Sequence, residues 1–237
     1  MMLPRIATPK YDMIVPSTGE TVTYRPYVVK EEKILLIALE TQDEDAIEKA
    51  VLNIINECVE TPINVNDLTT FDVEFMFITL RSKSVGEGIK LTPKCDGDEC
   101  EEINEVVINL EKVTVENLKD APDKHIKLTD DISIDLRWTT MKDRVENLKK
   151  DTETETIINM IVTSLETIYS GEDIYAVKDA TKKEVVEFVE SLNTDQFNDI
   201  VEVLSNIPYL SYDMDFDCKK CGKNNTIELR GLIDFFQ

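Results

Sequence analysis

Apolar and polar positions alternate near the start of the chain and then change to helical spacing. Two strand-like runs flank Pro16-Ser17-Thr18-Gly19, and a turn of this composition between such runs predicts a β-hairpin. Over 30–40 and again over 43–59, apolar residues recur every three or four positions, which is typical of amphipathic helices. A third helix, rich in phenylalanine, is predicted to start after a cap at Asn66 or Asp67.

A similar order of elements returns in the second part of the chain. A hairpin is predicted over 125–141 with its turn at Thr129-Asp130-Asp131, because apolar and polar residues alternate along its second arm. We expect Thr194 to cap one of the helices that follow. Helical patterns cover 141–151, 152–169, 180–192 and 193–207.

This repeated order predicts an α+β fold made of two related halves. Each half would contain a β-hairpin, helices and a strand–cysteine turn–strand. The halves are residues 1–115, with the first cysteine turn, and residues 116–237, with the second. The link is expected at 111–124, where Thr114 would cap a helical turn. Duplication of one unit explains the order, but coincidence is the alternative because residue identity between the halves is low.

Four of the five cysteines form two short pairs that lie about 120 residues apart in the sequence. Cys95 and Cys100 enclose a turn of four residues, and Cys218 and Cys221 enclose two residues and precede a glycine. Two turns that each supply two thiolates are a common way to bind tetrahedral zinc. We therefore expect all four cysteines to bind one structural zinc ion, which would join the two halves.

Two other interpretations of these cysteines stay open. They could be free thiols or a lapsed site, since Asp96, Asp98 and Glu99 crowd the first turn and disfavour four thiolates. They could also form a redox pair or a disulfide, although a redox motif of this kind opens a helix and Cys221 precedes a predicted strand. The fifth cysteine, Cys58, falls in a helical pattern and is expected to be a buried apolar residue.

The charge and the apolar pattern limit the possible partners. The net charge is −22, from 48 acidic and 26 basic residues, and such a surface repels nucleic-acid phosphates and favours a basic protein partner. No apolar run is long enough to span a bilayer, and the first residues lack the apolar segment of a signal peptide. We therefore expect no direct nucleic-acid partner, no membrane and a reducing intracellular compartment.

The sequence contains none of the common catalytic motifs that we sought. His125 is the only histidine, and no serine–histidine–acid or cysteine–histidine arrangement is identifiable around it. A zinc or redox enzyme would need an open metal position or a reactive thiolate, and a nucleic-acid-binding zinc module would need a basic surface. A non-enzymatic protein, such as a zinc-stabilised intracellular adaptor, is the expectation from the residues alone.

Three further features have two possible interpretations each. Phe71, Phe75 and Phe77 are expected in the core, with a partner-binding face as the alternative. The apolar residues at 232–236 predict a buried final strand or a docking tail. Arg25 either pairs with Glu31 or Glu32 or is solvated.

The first 40 residues resemble the opening of the baseplate proteins of T-even-type contractile-tailed phages. The cysteine turns are also similar to those of many members, although the C-x-x-x-x-C spacing of the first departs from the commoner C-x-x-C. The matching residues are Leu3, Pro4, Pro16-Ser17-Thr18-Gly19, Tyr24-Arg25-Pro26, Lys30-Glu31-Glu32-Lys33, Leu35, Leu36 and Ala38.

This resemblance implies a non-enzymatic role in building the baseplate hub. The chain would be a hub subunit or a hub-assembly factor, and its partners would be other baseplate hub proteins. Its expected location is the host cell cytoplasm during assembly and, for a subunit that stays, the baseplate of the virion tail. The family offers no catalytic residues to place on this sequence. The alternative function is an adaptor unrelated to phage assembly.

Overall fold

The protein is a mixed α/β chain in a computed structural model, which describes residues 6–97, 100–143 and 152–236. Its Cα packing divides the chain into two compact units. The first unit is Met1–Val65, Phe71–Glu116 and Tyr209–Gln237, and the second is Asn66–Thr70 and Asn117–Pro208. The combination of helices and strands predicted from the sequence is confirmed.

The elements of the first part follow the predicted order of hairpin and three helices. Strands β1 and β2 pair in antiparallel register around a turn in which Gly19 has a φ of 71°, a conformation that glycine adopts without steric cost. Asp43 caps the second helix by accepting a hydrogen bond from Asp45 N. The bounds are β1 (Tyr11–Ile14), β2 (Thr21–Tyr24), α1 (Val29–Thr41), α2 (Glu44–Cys58) and α3 (Thr70–Ser84).

Short strands and three helices make up the rest of the described chain. The strands of the middle segment are β3 (Gly88–Leu91), β4 (Val106–Asn109), β5 (Thr114–Glu116), β6 (His125–Lys127) and β7 (Ile132–Leu136). The remaining elements are α4 (Glu153–Ser164), β8 (Leu165–Ser170), β9 (Asp173–Ala176), α5 (Lys182–Glu190), α6 (Thr194–Ser205), β10 (Tyr209–Asp217) and β11 (Asn224–Arg230).

The first unit contains three small sheets and helices α1 to α3. Strands β3 and β4 form a hairpin, and the third sheet has the order β11-β10-β5. The predicted core assignment of Phe71 and Phe77 is confirmed, because both side chains are almost fully buried. The aromatic ring of Phe236 packs against Phe77, so the end of the described chain is anchored in this core.

The second unit is an antiparallel sheet with three helices packed on it. The strand order is β6-β7-β8-β9, and β6 and β7 form the hairpin predicted over 125–141. Apolar residues from β7, α4, α5 and α6 interdigitate in one core, because each element buries one face. The fully or almost fully buried members include Ile134, Leu136, Ile161, Leu165, Val185, Val189, Ile200 and Leu204.

Both the observed units and the predicted halves have a boundary near residue 116. The predicted halves are 1–115 and 116–237. The units and the halves differ in the last segment, because Tyr209–Gln237 packs with the first unit. The reason is strand pairing, since β10 lies between β11 and β5. In the sequence, residues 117–208 of the second unit are therefore an insertion between two paired strands of the first. The origin of the halves by duplication stays a prediction.

The structure corrects three predicted elements. The helix predicted over 152–169 ends at Ser164, and the chain then forms the hairpin β8–β9 around Gly171. Thr114 begins a strand instead of a helical turn, because β5 pairs with β10. The cap of α6 is Asn193 and not Thr194, since the Asn193 side chain accepts from Gln196 N.

Two further predictions concern the helix after Met141 and the end of the chain. Most of the helix predicted over 141–151 lies outside the described residues, which include only 141–143 of it. The final strand stops at Arg230, and Leu232–Phe236 form a 3-10 turn with Leu232 and Phe235 buried.

Arg25 and Glu31 form a partly buried ion pair that connects β2 to α1. Their closest N···O distance is 2.9 Å, with the Glu31 side chain 2% exposed and the Arg25 side chain 22% exposed. Burial acts to raise the pKa of Glu31, but the backbone N–H of Val28 and the guanidinium of Arg25 outweigh it and lower the pKa below its usual value. Arg25 therefore pairs with Glu31.

We expect Glu31→Gln to lower the free energy of unfolding by about 2 kcal/mol at pH 7, because Arg25 stays partly buried without its counter-ion. The folded-state pKa of Glu31 is depressed, so this stabilisation is present above the unfolded-state pKa and is lost as the pH falls through the folded-state value. The difference between wild type and variant should therefore shrink below about pH 4. Urea unfolding followed by circular dichroism at pH 7 and pH 3 measures it.

The matched control is Glu32→Gln, which removes the neighbouring carboxylate. We expect this variant to stay within about 0.5 kcal/mol of the wild type, as most surface substitutions do. Equal losses in the two variants would contradict a specific role for the Arg25–Glu31 pair.

Candidate metal centre

The two cysteine turns lie at the ends of two hairpins of the first unit. The first turn connects β3 to β4, and Cys95 N donates to Glu102 O at 2.9 Å. The second connects β10 to β11, and Cys218 N donates to Lys223 O at 2.8 Å. In each turn the donor is the first cysteine, and the acceptor lies two residues after the second cysteine. Both turns are therefore closed by an equivalent backbone hydrogen bond.

The four sulfur atoms come together at one point. The Sγ atoms of Cys95 and Cys221 are 3.7 Å apart, and so are those of Cys100 and Cys218. All four Sγ atoms lie within 4.8 Å of one another. A tetrahedron of sulfurs around zinc, with Zn–S bonds of 2.3 Å, has S···S edges of about 3.8 Å. The arrangement has the size that a tetrahedral zinc ion requires, and the four cysteines are free thiols.

Two asparagines connect the turns to each other in a reciprocal way. Asn104 Oδ1 accepts from Lys219 N at 3.0 Å, and Asn225 Oδ1 accepts from Asp96 N at 2.9 Å. Each asparagine lies four residues after the second cysteine of its own turn and bonds the residue after the first cysteine of the other turn. Both side chains are buried. The sequence analysis missed them, although the C-x-x-x-N spacing common to both turns was a usable signal.

The charges around the cluster are largely paired across the two turns. Lys223 Nζ lies 3.0 Å from a carboxylate oxygen of Asp96, and it also donates to Asp96 O at 3.2 Å. Lys220 approaches Glu102 at 4.0 Å. The acidic crowding expected at Asp96 is thus offset by a lysine of the second turn. The other two acidic residues of the first turn, at 98 and 99, lie outside the described residues.

In the absence of a cation, the cysteines of the cluster have different pKa values. The backbone N–H groups of Cys221 and Lys220 favour the thiolate of Cys218 and lower its pKa to about 6, despite burial. The backbone N–H of Glu102 lowers the pKa of Cys100, but burial and the other three sulfurs outweigh it and raise the value to about 12. The negative charge of one thiolate therefore opposes the ionisation of a second cysteine. A divalent cation at the centre would relieve this repulsion.

Access to the cluster is limited on most sides. Cys95, Cys100 and Cys218 are buried and form their own apolar cluster, whereas Cys221 is exposed. Gly97 lies against the sulfurs, since an added Cβ would meet Cys100 Cβ at 3.2 Å and Cys95 Sγ at 3.5 Å. The turn is packed so closely that a side chain at this position would push on the cluster.

The other residues singled out from the sequence lie away from this arrangement of thiols. Cys58 is fully buried in α2, as predicted. The carboxylate of Asp135 accepts from Nδ1–H of His125 at 2.6 Å and from the hydroxyl of Tyr169 at 2.6 Å. These contacts connect the side chains of three neighbouring strands of the second unit, β6, β7 and β8. No helix within the described part of the chain is long and apolar enough to cross a membrane.

The fold and the site define a class of protein in which hairpin turns are brought together by a four-cysteine cluster. The chain belongs to the T4 bacteriophage base plate protein family, whose sequence model matches residues 8–237. The resemblance seen in the first 40 residues is thereby confirmed over nearly the whole chain.

One curated relative extends this assignment. The chain is 26% identical over 229 residues to the baseplate hub assembly protein gp26 of Enterobacteria phage T4, covering 96% of this chain and 97% of that protein. No solved structure is significantly similar to the chain. The chain is a phage baseplate protein, and an adaptor unrelated to phage assembly is not favoured.

We expect Asn225→Ala to lower the free energy of unfolding by about 2 kcal/mol, because Asp96 N loses its acceptor and Lys223 O keeps only the donor Cys218 N. The control is Asn224→Ala, an exposed neighbour whose side chain bonds only to that of Asp217 among the contacts described; it should cost less than about 0.5 kcal/mol. Thermal unfolding of both variants compares them. Similar costs would argue against a special role for the buried asparagine.

Proposed function

We propose that the chain is a non-enzymatic baseplate hub protein, either a hub subunit or a hub-assembly factor, that acts through contacts with other baseplate hub proteins. The observation that carries this proposal is the end-to-end similarity to a hub assembly protein of phage T4, which covers 96% of this chain. Sequence similarity over this length extends from the first hairpin to the last strand and is not limited to one motif.

The charge of the chain supports a protein partner. A net charge of −22 disfavours self-association and contact with nucleic acid, and it increases the rate of encounter with a basic protein surface. Assembly in the host cell cytoplasm fits the reduced state of the cysteines. A chain that stays in the particle would then be found in the tail baseplate.

The role we propose for the cysteine cluster is structural. Cys95, Cys100, Cys218 and Cys221 would bind one zinc ion through four thiolates, as supported by the 3.7 Å sulfur separations. Four protein ligands close the coordination sphere of zinc, so the ion would join the two turns without an open position for a substrate. Main-chain N–H groups that point at the sulfurs, such as Gly97 N to Cys95 Sγ at 3.4 Å, would stabilise the thiolates.

The zinc proposal predicts one zinc ion per chain in protein purified under reducing conditions. We expect Cys218→Ser to reduce the zinc content and to lower the midpoint of thermal unfolding, because zinc binding is coupled to folding. Atomic emission analysis of the metal and calorimetry provide the two measurements.

The control for the zinc experiment is Cys58→Ala, which removes a buried thiol outside the cluster. It should lower stability by about 1 kcal/mol through lost packing and leave the zinc content unchanged. Wild-type protein without metal, or equal metal content in Cys218→Ser and the wild type, would refute the zinc proposal.

The hub proposal predicts that a phage lacking this chain makes no complete baseplates and that plasmid-borne wild type restores them. Electron microscopy and sedimentation of the particles measure the outcome. Normal baseplates without the chain would contradict the proposal. Mass spectrometry of purified mature particles then separates the two versions, because only a hub subunit stays in the virion.

A further inference from the structure

Strand β9 is an open edge of the sheet in the second unit. Among the described residues it pairs with β8 alone. The two strands are joined by the two-residue turn Gly171-Glu172, next to the pair Ser170 and Asp173. Because hydrogen-bonded and non-hydrogen-bonded pairs alternate in an antiparallel hairpin, Ile174 directs its N–H and C=O away from β8, and Ala176 directs its N–H the same way. The C=O of Ala176 belongs to the 3-10 turn Val177–Asp179, of which this residue is the N-cap. The edge therefore offers main-chain donors and acceptors to another strand.

Apart from Asp173 at its first position, β9 has no charged side chain and no proline to protect this edge. Ile174 is 69% exposed and Tyr175 is 55% exposed, although edge strands of natural proteins are normally guarded by charged side chains or proline. The edge strand β11 in the first unit follows that rule. Its exposed positions are Asn224, Thr226, Glu228 and Arg230. Of these two edge strands, only β9 exposes large apolar side chains.

An apolar groove runs beside the open edge. It lies between β9 and α5, has a volume of about 610 Å³ and includes Ile168, Tyr175, Val185 and Phe188 in its lining. Ile168 and Tyr175 are partners across β8 and β9, so both side chains lie on the face of the sheet that carries α5. The groove is large enough to receive side chains from a strand added at β9, since ligand sites begin at about 300 Å³.

The charge of the groove selects the occupant. The acidic residues in its lining are Asp179 and Glu184, and the Glu184 carboxylate also accepts from Thr181 N and Thr181 Oγ1. Glu172 lies in the turn, and Asp173 is the first residue of β9. Lys183 near the start of α5 is paired with Glu187 at 3.4 Å. Lys178 and Lys182 are exposed in the same segment but do not line the groove, so its own charged residues are acidic. A second copy of this chain would bring the same acidic groups and a further charge of −22 to the edge. A basic segment complements this charge, and a second copy does not.

We infer that β9 and its groove bind an extended segment of another baseplate protein, in which apolar residues alternate along a strand flanked by lysine or arginine. The segment adds a fifth strand to the sheet by bonding to the main chain of Ile174 and Ala176. Its apolar side chains on one face enter the groove beside Phe188, and its basic flanks face Asp179 and Glu184. This inference rests on the proposed hub function and names the surface through which that function is exerted.

The test is site-specific photo-crosslinking during infection. The photoreactive amino acid p-benzoylphenylalanine replaces Tyr175, a substitution that keeps an aromatic ring at the groove, in chain supplied to a phage that lacks its own copy. We expect a crosslink to a baseplate protein, and mass spectrometry should place it in an apolar segment with lysine or arginine on its flanks. A crosslink to a second copy of this chain, to a segment without those features, or to no protein would overturn the inference.

Two substitutions at one position test the main-chain and side-chain parts separately. Ile174→Pro removes the outward N–H and leaves the bonds of Asp173 and Tyr175 to β8 in place; we expect about a tenfold lower crosslink yield, the effect of losing one hydrogen bond. Ile174→Thr keeps the donor and strand preference, removes apolar contact and should lower the yield less. Val107→Thr, at an exposed position of β4 in the first unit, is the control and should leave the yield unchanged.

The outcome also separates this inference from the hub proposal. Circular dichroism of each variant establishes that the chain is folded, and Ile174→Thr carries the test if Ile174→Pro does not fold. Unchanged crosslink yields in folded Ile174 variants, together with baseplates that require the chain, would refute the strand-addition surface and leave the hub role standing. Baseplates that form without the chain would instead refute the hub role.

Discussion

The meeting of four thiols from two distant turns is the constraint on which the first unit depends. Cys100 and Cys218 are 118 residues apart in the sequence, with their sulfurs 3.7 Å apart in space. A covalent cross-link across a loop of this length limits the unfolded chain by about 4–5 kcal/mol, and the metal–thiolate bonds that we propose would impose a comparable restriction. Residues 117–208 of the second unit lie within that loop, and the strands β5 and β10 that flank them are paired in the first unit.

The cluster is supported by neutral hydrogen bonds as much as by sulfur. Asn104 and Asn225 carry the contact between the turns through amide oxygens, and both are buried with their polar atoms satisfied. Amides suit this position because they add no charge next to thiolates, whereas a carboxylate would raise the repulsion within the cluster. Next to the cluster, the carboxylate of Asp96 is paired with Lys223.

Much of the fold followed from local patterns, and the errors have physical causes. The hairpin at Gly19, helices α1 and α2 and the clustering of the four cysteines were predicted from turn residues, apolar spacing and ligand spacing. Strand β8 was missed because Ile161, Val162 and Leu165 continue the helical spacing of α4 up to its end, so the boundary depends on the turn at Gly171. Strand β5 was missed because its partner β10 lies more than 90 residues later, and a pairing at that distance has no local signal.

The reciprocal asparagines also bear on how the two turns arose. In each turn an asparagine four residues after the second cysteine bonds the residue after the first cysteine of the opposite turn. The backbone bonds that close the turns, from Cys95 N and Cys218 N, also have equivalent positions, because each acceptor lies two residues after the second cysteine. If the likeness were a coincidence, the two turns would have acquired the same order of cysteines, the same closing backbone bond and the same bridging asparagine independently. All three features are present although four residues separate the cysteines of the first turn and two separate those of the second. Geometry common to both turns therefore supports duplication of one strand–turn–strand unit more strongly than the order of elements does, and duplication stays a prediction.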